Sequence, residues 1–197
     1  MIRDSAATRQ RIVAAATVEF AAHGLAGARI DRIAERAGAN KQLIYAYVGS
    51  KDQLFDAALE ANLELLLDSV PFDAGDLPGY ARRLRTFNTT HPDLVRLVLW
   101  HSLERPGRIA MLAVAKASTE HKARAVAAAQ AAGRIDASVP ADVILRHLLA
   151  LVYANVVDAV HGGTADVAGG NTGADDGLAD AVRRLIAPAP LGPHDPA

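Results

Sequence analysis

The run Lys41-Gln42-Leu43-Ile44-Tyr45-Ala46-Tyr47-Val48 mixes cationic, amide and phenolic groups with an apolar pair, Ile44 and Val48, spaced four residues apart. If that pair anchors a helix inward, Lys41, Gln42, Leu43, Tyr45, Ala46 and Tyr47 are available outward. The preceding stretch, Ile30 to Ala37, places Ile30, Ile33, Ala34 and Ala37 at i, i+3, i+4 and i+7, one buried face of a second short helix. Between them stands Ala37-Gly38-Ala39-Asn40. A helix-turn-helix needs two short helices, a turn without bulky side chains and a second helix that presents polar groups. All three are here.

The charge pattern points the same way. The formal net charge is −1, yet residues 1–51 hold eight cations and four anions, leaving the rest of the chain acidic. A basic end on an acidic body suits contact with a polyanion, although an uneven solvated surface would give the same arithmetic.

Other chemistries lack their residues. There is no Cys, which excludes disulfide scaffolds, thiolate metal sites and cysteine nucleophiles. Seven His are scattered without a His-x-x-x-His pair, so no helical metal site is expected. No Gly-x-Ser-x-Gly elbow and no phosphate-binding Gly loop ending in Lys-Ser/Thr occurs. A small helical enzyme remains the rival class, but no catalytic residues, metal or cofactor can be nominated for it. No apolar run reaches membrane-span length, and the first residues lack the layout of a secretory signal, so a cytoplasmic protein without membrane contact is expected.

The elements that must hold these residues follow from composition. Of 197 residues, 42 are Ala, while aromatics make up only 5%. Ala is the strongest helix former and β-branched runs are scarce, so an all-α fold of about nine helices is expected. The excess of Arg over Lys (17 against 4) together with the Ala content fits a GC-rich bacterial genome. A first helix spans about Ser5 to His23 through Ile12, Ala16 and Phe20, with Gly24 as its stop. Asn40 is a suitable N-cap for the third helix, and Ser50-Lys51-Asp52-Gln53 fits a capping box that opens a fourth helix to about Val70. Further helices are expected from Pro78, over Leu94–Glu104, over Ile109–Ala132 and from Pro140 to His161. Residues Gly162–Gly177 read as a loop, the helix through Leu178, Val182 and Ile186 closes the fold, and the Pro-rich tail 188–197 is expected to be disordered.

Beyond these local patterns, the chain resembles a known family. Thr8-Arg9-Gln10-Arg11-Ile12, Phe20-Ala21-Ala22-His23-Gly24, Ile33-Ala34-Glu35-Arg36-Ala37-Gly38 and Ile44-Tyr45-Ala46-Tyr47-Val48-Gly49-Ser50-Lys51-Asp52-Gln53-Leu54 resemble, in order and spacing, the DNA-binding domain of TetR-type repressors. The resemblance covers about residues 5–60. It implies a bacterial, ligand-responsive regulator, a homodimer on a palindromic double-stranded operator, released by a small effector. It divides the chain into a DNA-binding domain at 1–51 and an effector-binding and dimerisation domain at 52–187.

Carried onto matching positions, Lys41, Gln42, Leu43, Tyr45 and Ala46 lie on the recognition helix, where Gln42 can read adenine and Lys41 guanine or a phosphate. Tyr47 and Lys51 match phosphate-contacting positions. Where relatives commonly carry Thr at the start of the second helix, this chain has Ala28-Arg29, so Arg29 is the candidate phosphate contact. Gln42 also stands where relatives often carry Gly, so base preference does not transfer. Structural roles compete with these: Tyr45 could brace the recognition helix, Leu43 and Ala46 could touch a thymine methyl or nothing, and Arg32 and Arg36 fit a solvated face or an intrahelical partner such as Glu35.

For the C-terminal part, the 140–161 helix is too apolar for an exposed monomer surface, and with 175–187 it is expected to form the homodimer interface; burial inside one chain is the alternative. Candidate effector contacts are the large or polar residues within apolar helices: Phe87, Asn88, Trp100, His101, Met111 and Tyr153. Each could equally be core. A helical effector-binding protein without a DNA-binding role is the remaining reading of the whole chain.

Overall fold

The computed structural model describes residues 2–160 and 172–187. Among these the protein is all helical: α1 (Ile2–Gly27), α2 (Ile30–Ala37), α3 (Lys41–Val48), α4 (Lys51–Ser69), α5 (Leu77–Thr90), α6 (Pro92–Glu104), α7 (Ala113–Ala131), α8 (Ala141–Val160) and α9 (Thr172–Ile186). Two compact units emerge. One comprises residues up to 69 together with 90–117, and the other comprises 70–89 with 118 onward. The boundary expected at residue 51 on functional grounds lies within the first unit.

The first unit is built around α1. Its Ile12, Ala16 and Phe20 are fully buried, with Val13, Ala15 and Ala21 beside them. Phe20 meets Phe55 of α4 at a ring-centroid separation of 4.8 Å. Leu94, Val95 and Leu97 of α6 and Leu54 and Leu59 of α4 complete this core. Small residues on α1 let its neighbours approach closely, while Phe20 supplies the large apolar area whose burial drives association.

Helix α1 is interrupted where the sequence places its stop. Gly24 has φ 66° and ψ −175°, and only one further turn follows. Glu104 of α6 accepts the N–H groups of Leu25 (2.5 Å) and Ala26 (3.1 Å), satisfying donors that the break exposes. The Trp100 ring lies against Gly24, and its indole N–H donates to the Ala21 carbonyl at 3.2 Å.

In the second unit α8 and α9 pair through Ile144, Leu145, Leu148 and Val152 on one side and Leu178, Ala179 and Val182 on the other. The Gln130 side chain donates to the carbonyls of Asp136 and Val139, both at 2.7 Å, and so fixes the turn between α7 and α8.

Two boundaries differ from expectation. The helix expected over 109–132 is divided into a single 3-10 turn at Ile109–Met111 and α7, because Leu112 is extended (ψ 131°) and buries its side chain at 5% exposure. The loop expected to reach Gly177 gives way to helix from Thr172. Gly173 and Gly177 erase the apolar rhythm there, but the backbone hydrogen bonds of a helix need no side chain. The tail 188–197 and residues 161–171 lie outside the described residues.

Gly24 and Gly38 both have positive φ but differ in surroundings. A Cβ at Gly38 meets nothing within 4 Å, whereas one at Gly24 falls 2.8 Å from the Trp100 ring. Gly38→Ala is expected to cost about 1–2 kcal/mol from backbone strain alone. Gly24→Ala should cost at least about twice that, because Trp100 must also shift. Urea melts of the two variants check the order; equal losses would show that the Trp100 contact is slack.

Candidate nucleic-acid interface

The turn between α2 and α3 is built from local chemistry. Gly38 adopts the left-handed conformation, and its N–H and that of Ala39 close back onto Glu35 and Ala34 at 3.2 and 3.0 Å. Asn40 is extended, and its side-chain oxygen accepts the Leu43 N–H at 2.7 Å. Ile44 pins α3 to the core at 1% exposure, and Val48 is half-buried below it. Lys41, Gln42, Tyr45 and Ala46 are exposed, while Leu43 and Tyr47 are half-buried. The capping box also forms: Ser50 Oγ accepts from Gln53 N at 3.1 Å, and Gln53 Oε1 accepts from Ser50 N at 2.7 Å.

The basic residues are not equivalent. Lys41 is paired with Asp31 of α2. Lys51 is half-buried, its Nζ 3.5 Å from the Ala26 carbonyl. Arg29 is the extended residue before α2; its side chain is exposed and does not cap the helix. Its backbone N–H donates to Glu19 Oε1 at 2.9 Å. The same carboxylate, buried on α1, accepts from Arg32 Nε at 2.7 Å. Arg32 therefore ties α2 to α1 instead of pairing with Glu35 along its own helix. Burial works against the Glu19 charge, but the Arg32 guanidinium and the Arg29 N–H outweigh it and hold the carboxyl below its ordinary value.

A second charged cluster lies further along α4. Asp56 accepts from Arg105 Nη1 at 2.7 Å and from Arg108 through Nε (3.2 Å) and Nη2 (2.8 Å). Next to it, His101 is fully buried and stacked on Phe55 with centroids 3.8 Å apart and planes at 12°. Its Nε2 lies 3.3 Å from the Phe55 carbonyl, and its Nδ1 stands 4.0 Å from Asp56. Burial pulls the imidazole down, against the opposing pull of the Phe55 carbonyl and the Asp56 charge. A hollow of about 390 Å3 opens beside this cluster, lined in part by Arg9, Tyr47, Gln53, Asp56, Glu60 and Met111. Tyr47, at the end of α3, thus shares a wall with the α6 end of the unit.

The sequence-nominated effector residues divide between the units. Trp100 and His101 are engaged in the packing of α6 on α1 and α4, and Met111 is 71% exposed. Phe87, Asn88 and Tyr153 belong to the second unit. Asn88 is fully buried, and neither atom of its amide has a hydrogen-bond partner among the described residues. Three residues of that unit, Lys122, Tyr80 and Phe72, are not among the candidates singled out from sequence. Lys122 of α7 lies 5.4 Å from the Tyr80 ring centroid and 5.9 Å from that of Phe72. A Lys in an Ala-rich helix gives no sequence signal of this surrounding. Among the described residues no group of three metal-ligating side chains occurs, and no helix is long and apolar enough to cross a membrane.

Comparison with known proteins accounts for this arrangement. A family model described as bacterial regulatory proteins, tetR family, matches residues 12–58, and one described as a tetracyclin repressor-like C-terminal domain matches residues 76–184. The chain is 43% identical over 185 residues to the HTH-type transcriptional repressor SCO4008 of Streptomyces coelicolor, covering 92% of this chain and 94% of that protein. The chain belongs to the TetR family. A solved TetR-fold neighbour, the transcriptional regulator SCO4942 from Streptomyces coelicolor, matches with a TM-score of 0.78 and 33% identity over 91% of this chain and 98% of its own. FadR from Bacillus subtilis, solved in complex with stearoyl-CoA, shares the fold at a TM-score of 0.71 and 14% identity, covering 90% and 99% of the two chains. As a TetR-family member the protein is a transcriptional regulator, and α2 and α3 are its helix-turn-helix.

Two perturbed groups of the first unit, His101 and Glu19, predict separate pH windows. His101 has a folded pKa below its ordinary 6.5, so the unfolded chain binds the extra proton and stability falls as pH drops through that value. Glu19, lowered from 4.5, loses its contribution only below that pH. Thermal melts from pH 7 to 3 should show both declines. His101→Gln should flatten the first, and Glu19→Gln the second. An unchanged slope between pH 7 and 5 in His101→Gln would sink the assignment of the upper window.

Proposed function

We propose that the protein is a homodimeric repressor that holds a palindromic operator through residues 1–51 and lets go when residues 52–187 bind a small effector. The observation that carries this reading is the face of α3. Lys41, Gln42, Tyr45 and Ala46 are exposed on a helix whose opposite side is anchored by Ile44. Gln42 reads a base edge, adenine being the bidentate match, and Leu43 and Ala46 offer apolar contact to a thymine methyl. Lys41 reaches guanine or phosphate by exchanging its Asp31 partner, and Tyr45 either reads a base or braces α3. Tyr47, Lys51 and Arg29 contact phosphates and fix the register. The relative SCO4008 is described as a repressor, which supports repression over activation. The fold shared with FadR, solved with stearoyl-CoA, supports response to a small molecule. The second subunit packs against α8 and α9.

Selection of genomic fragments by the purified protein should recover a palindrome. On that site Lys51→Ala is expected to weaken binding to all sequences and to reduce the slope of log K against log salt by about 0.9. Gln42→Ala should instead relax preference at one position per half-site, costing about 1–3 kcal/mol against the preferred base. An unaltered sequence preference in Gln42→Ala would remove Gln42 from the reading set.

The dimer is tested separately. Leu149 of α8 is 39% exposed among the described residues. Leu149→Arg should shift the particle from dimer to monomer mass in light scattering. Retention of a dimer would place the interface elsewhere.

A further inference from the structure

We propose that the second compact unit takes an organic carboxylate, bound by the Lys122 ammonium beside the rings of Phe72 and Tyr80, with Asn88 hydrogen-bonding a polar group further along the same molecule. This deepens the reading of that unit as the effector-binding part of a regulator and rests on it.

Lys122 is a half-buried cation. Its ammonium lies 5.4 and 5.9 Å from the Tyr80 and Phe72 ring centroids. Those rings meet edge to face at 5.0 Å and 81°. Among the described residues no carboxylate pairs with it, and burial alone pulls its pKa down. Ring faces attract the charge but accept none of the ammonium's three N–H bonds in the way an oxygen does. The neighbouring phenols are also short of water: Tyr80 is 2% exposed and pushed up to about 12 by burial, with Tyr153 adding to the shift. Both phenols therefore stay protonated and can donate. An acceptor-only group is the complement of the Lys122 ammonium, and a carboxylate is that group. A cationic ligand would meet Lys122 as a like charge.

Asn88 supplies an independent observation. It stands on α5, two helical turns after Tyr80, about 12 Å along the axis at roughly 1.5 Å per residue. Leu84 and Phe87 lie between or beside them, both buried. An amide with 0% exposure and both polar atoms unpartnered is costly to keep in an apolar helical core. It has the donor and acceptor needed for a carbonyl or hydroxyl on the ligand. The two ends define a molecule with an anionic head, an apolar body and a polar group roughly ten carbons away.

The test is calorimetric titration of the full-length protein with octanoate, decanoate, dodecanoate and 10-hydroxydecanoate. Decanamide and decyltrimethylammonium serve as the neutral and cationic controls. Carboxylates should bind at least about tenfold tighter than the amide, with no binding of the ammonium, and 10-hydroxydecanoate should exceed decanoate. Lys122→Met should lose roughly tenfold to a hundredfold in carboxylate affinity, Lys122→Arg should retain most of it, and Asn88→Leu should abolish the advantage of the hydroxy acid. Equal binding of acid and amide, carboxylate binding unaffected by Lys122→Met, or no carboxylate binding at all overturns the proposal.

A ligand-free arm separates a binding role from a structural one. Lys122→Met and Asn88→Leu should leave the melting temperature unchanged or raise it, because each removes a polar group that has no hydrogen-bond partner among the described residues. A fall of several degrees in both assigns them to the architecture and also overturns the proposal. Operator binding is measured on the same preparations. Wild-type protein that grips its operator but ignores every carboxylate refutes the carboxylate alone, whereas carboxylate binding without any operator refutes the regulator reading and leaves this one standing.

Discussion

Helix α1 is buried along several sides at once, and the geometry of the DNA-reading end depends on that burial. A helix with partners on one face can roll; α1 meets α2, α4 and α6 and has little freedom to do so. Its alanines permit close approach, and Phe20 against Phe55 supplies the apolar contact area. From this wall the buried Glu19 carboxylate reaches across to Arg32 and to the Arg29 N–H. The start of α2 is thereby fixed relative to α1, and the turn at Gly38 passes that orientation on to α3. The exposed face of α3 owes its direction to contacts made within the protein.

Much of this end was legible in the sequence because its signals are local. Asn40 caps three residues away, the Ser50–Gln53 box closes over three residues, and Gly24 and Gly38 sit where a left-handed residue is needed. The periodic positions Ile12, Ala16 and Phe20 identified the buried face of α1 for the same reason. What escaped is pairing between distant segments. Arg32 has an acidic neighbour three residues on, yet its partner is Glu19, thirteen residues back and on another helix. Asp56 draws Arg105 and Arg108 from about fifty residues away. No pattern in composition or spacing announces such a meeting, since any exposed Asp and Arg would look alike. Lys122 was overlooked on the same ground: its neighbours Phe72 and Tyr80 come from separate stretches of chain. Of the effector candidates, Asn88 and Tyr153 are visible in sequence as polar groups within apolar helices and lie in the second unit, whereas Trp100 and His101 carry the same signature and serve the packing of α6.

Buried polar groups take two forms among the described residues, satisfied and unpartnered. In the first, Glu19 and Asp56 each satisfy several donors, and those charge-assisted bonds hold helices in register. His101 beside that network is the exception, its buried Nδ1 standing 4.0 Å from the Asp56 carboxylate without a hydrogen-bond partner among the described residues. In the second, Asn88 is buried with neither amide atom partnered among the described residues. Satisfied networks specify one arrangement, and unsatisfied groups store free energy that a bound molecule can release.

The contact between Trp100 and Gly24 has an optical meaning. The chain contains a single Trp. Its indole rests on the α1 break and donates to Ala21. All indole emission from the protein therefore originates at one seam, where α6 meets the end of α1. Any rearrangement that slides those two helices changes the polarity around the ring, and its emission maximum follows. The protein carries its own fluorophore at the junction that fixes the DNA-reading helices, so movement there can be followed in real time without attaching a label.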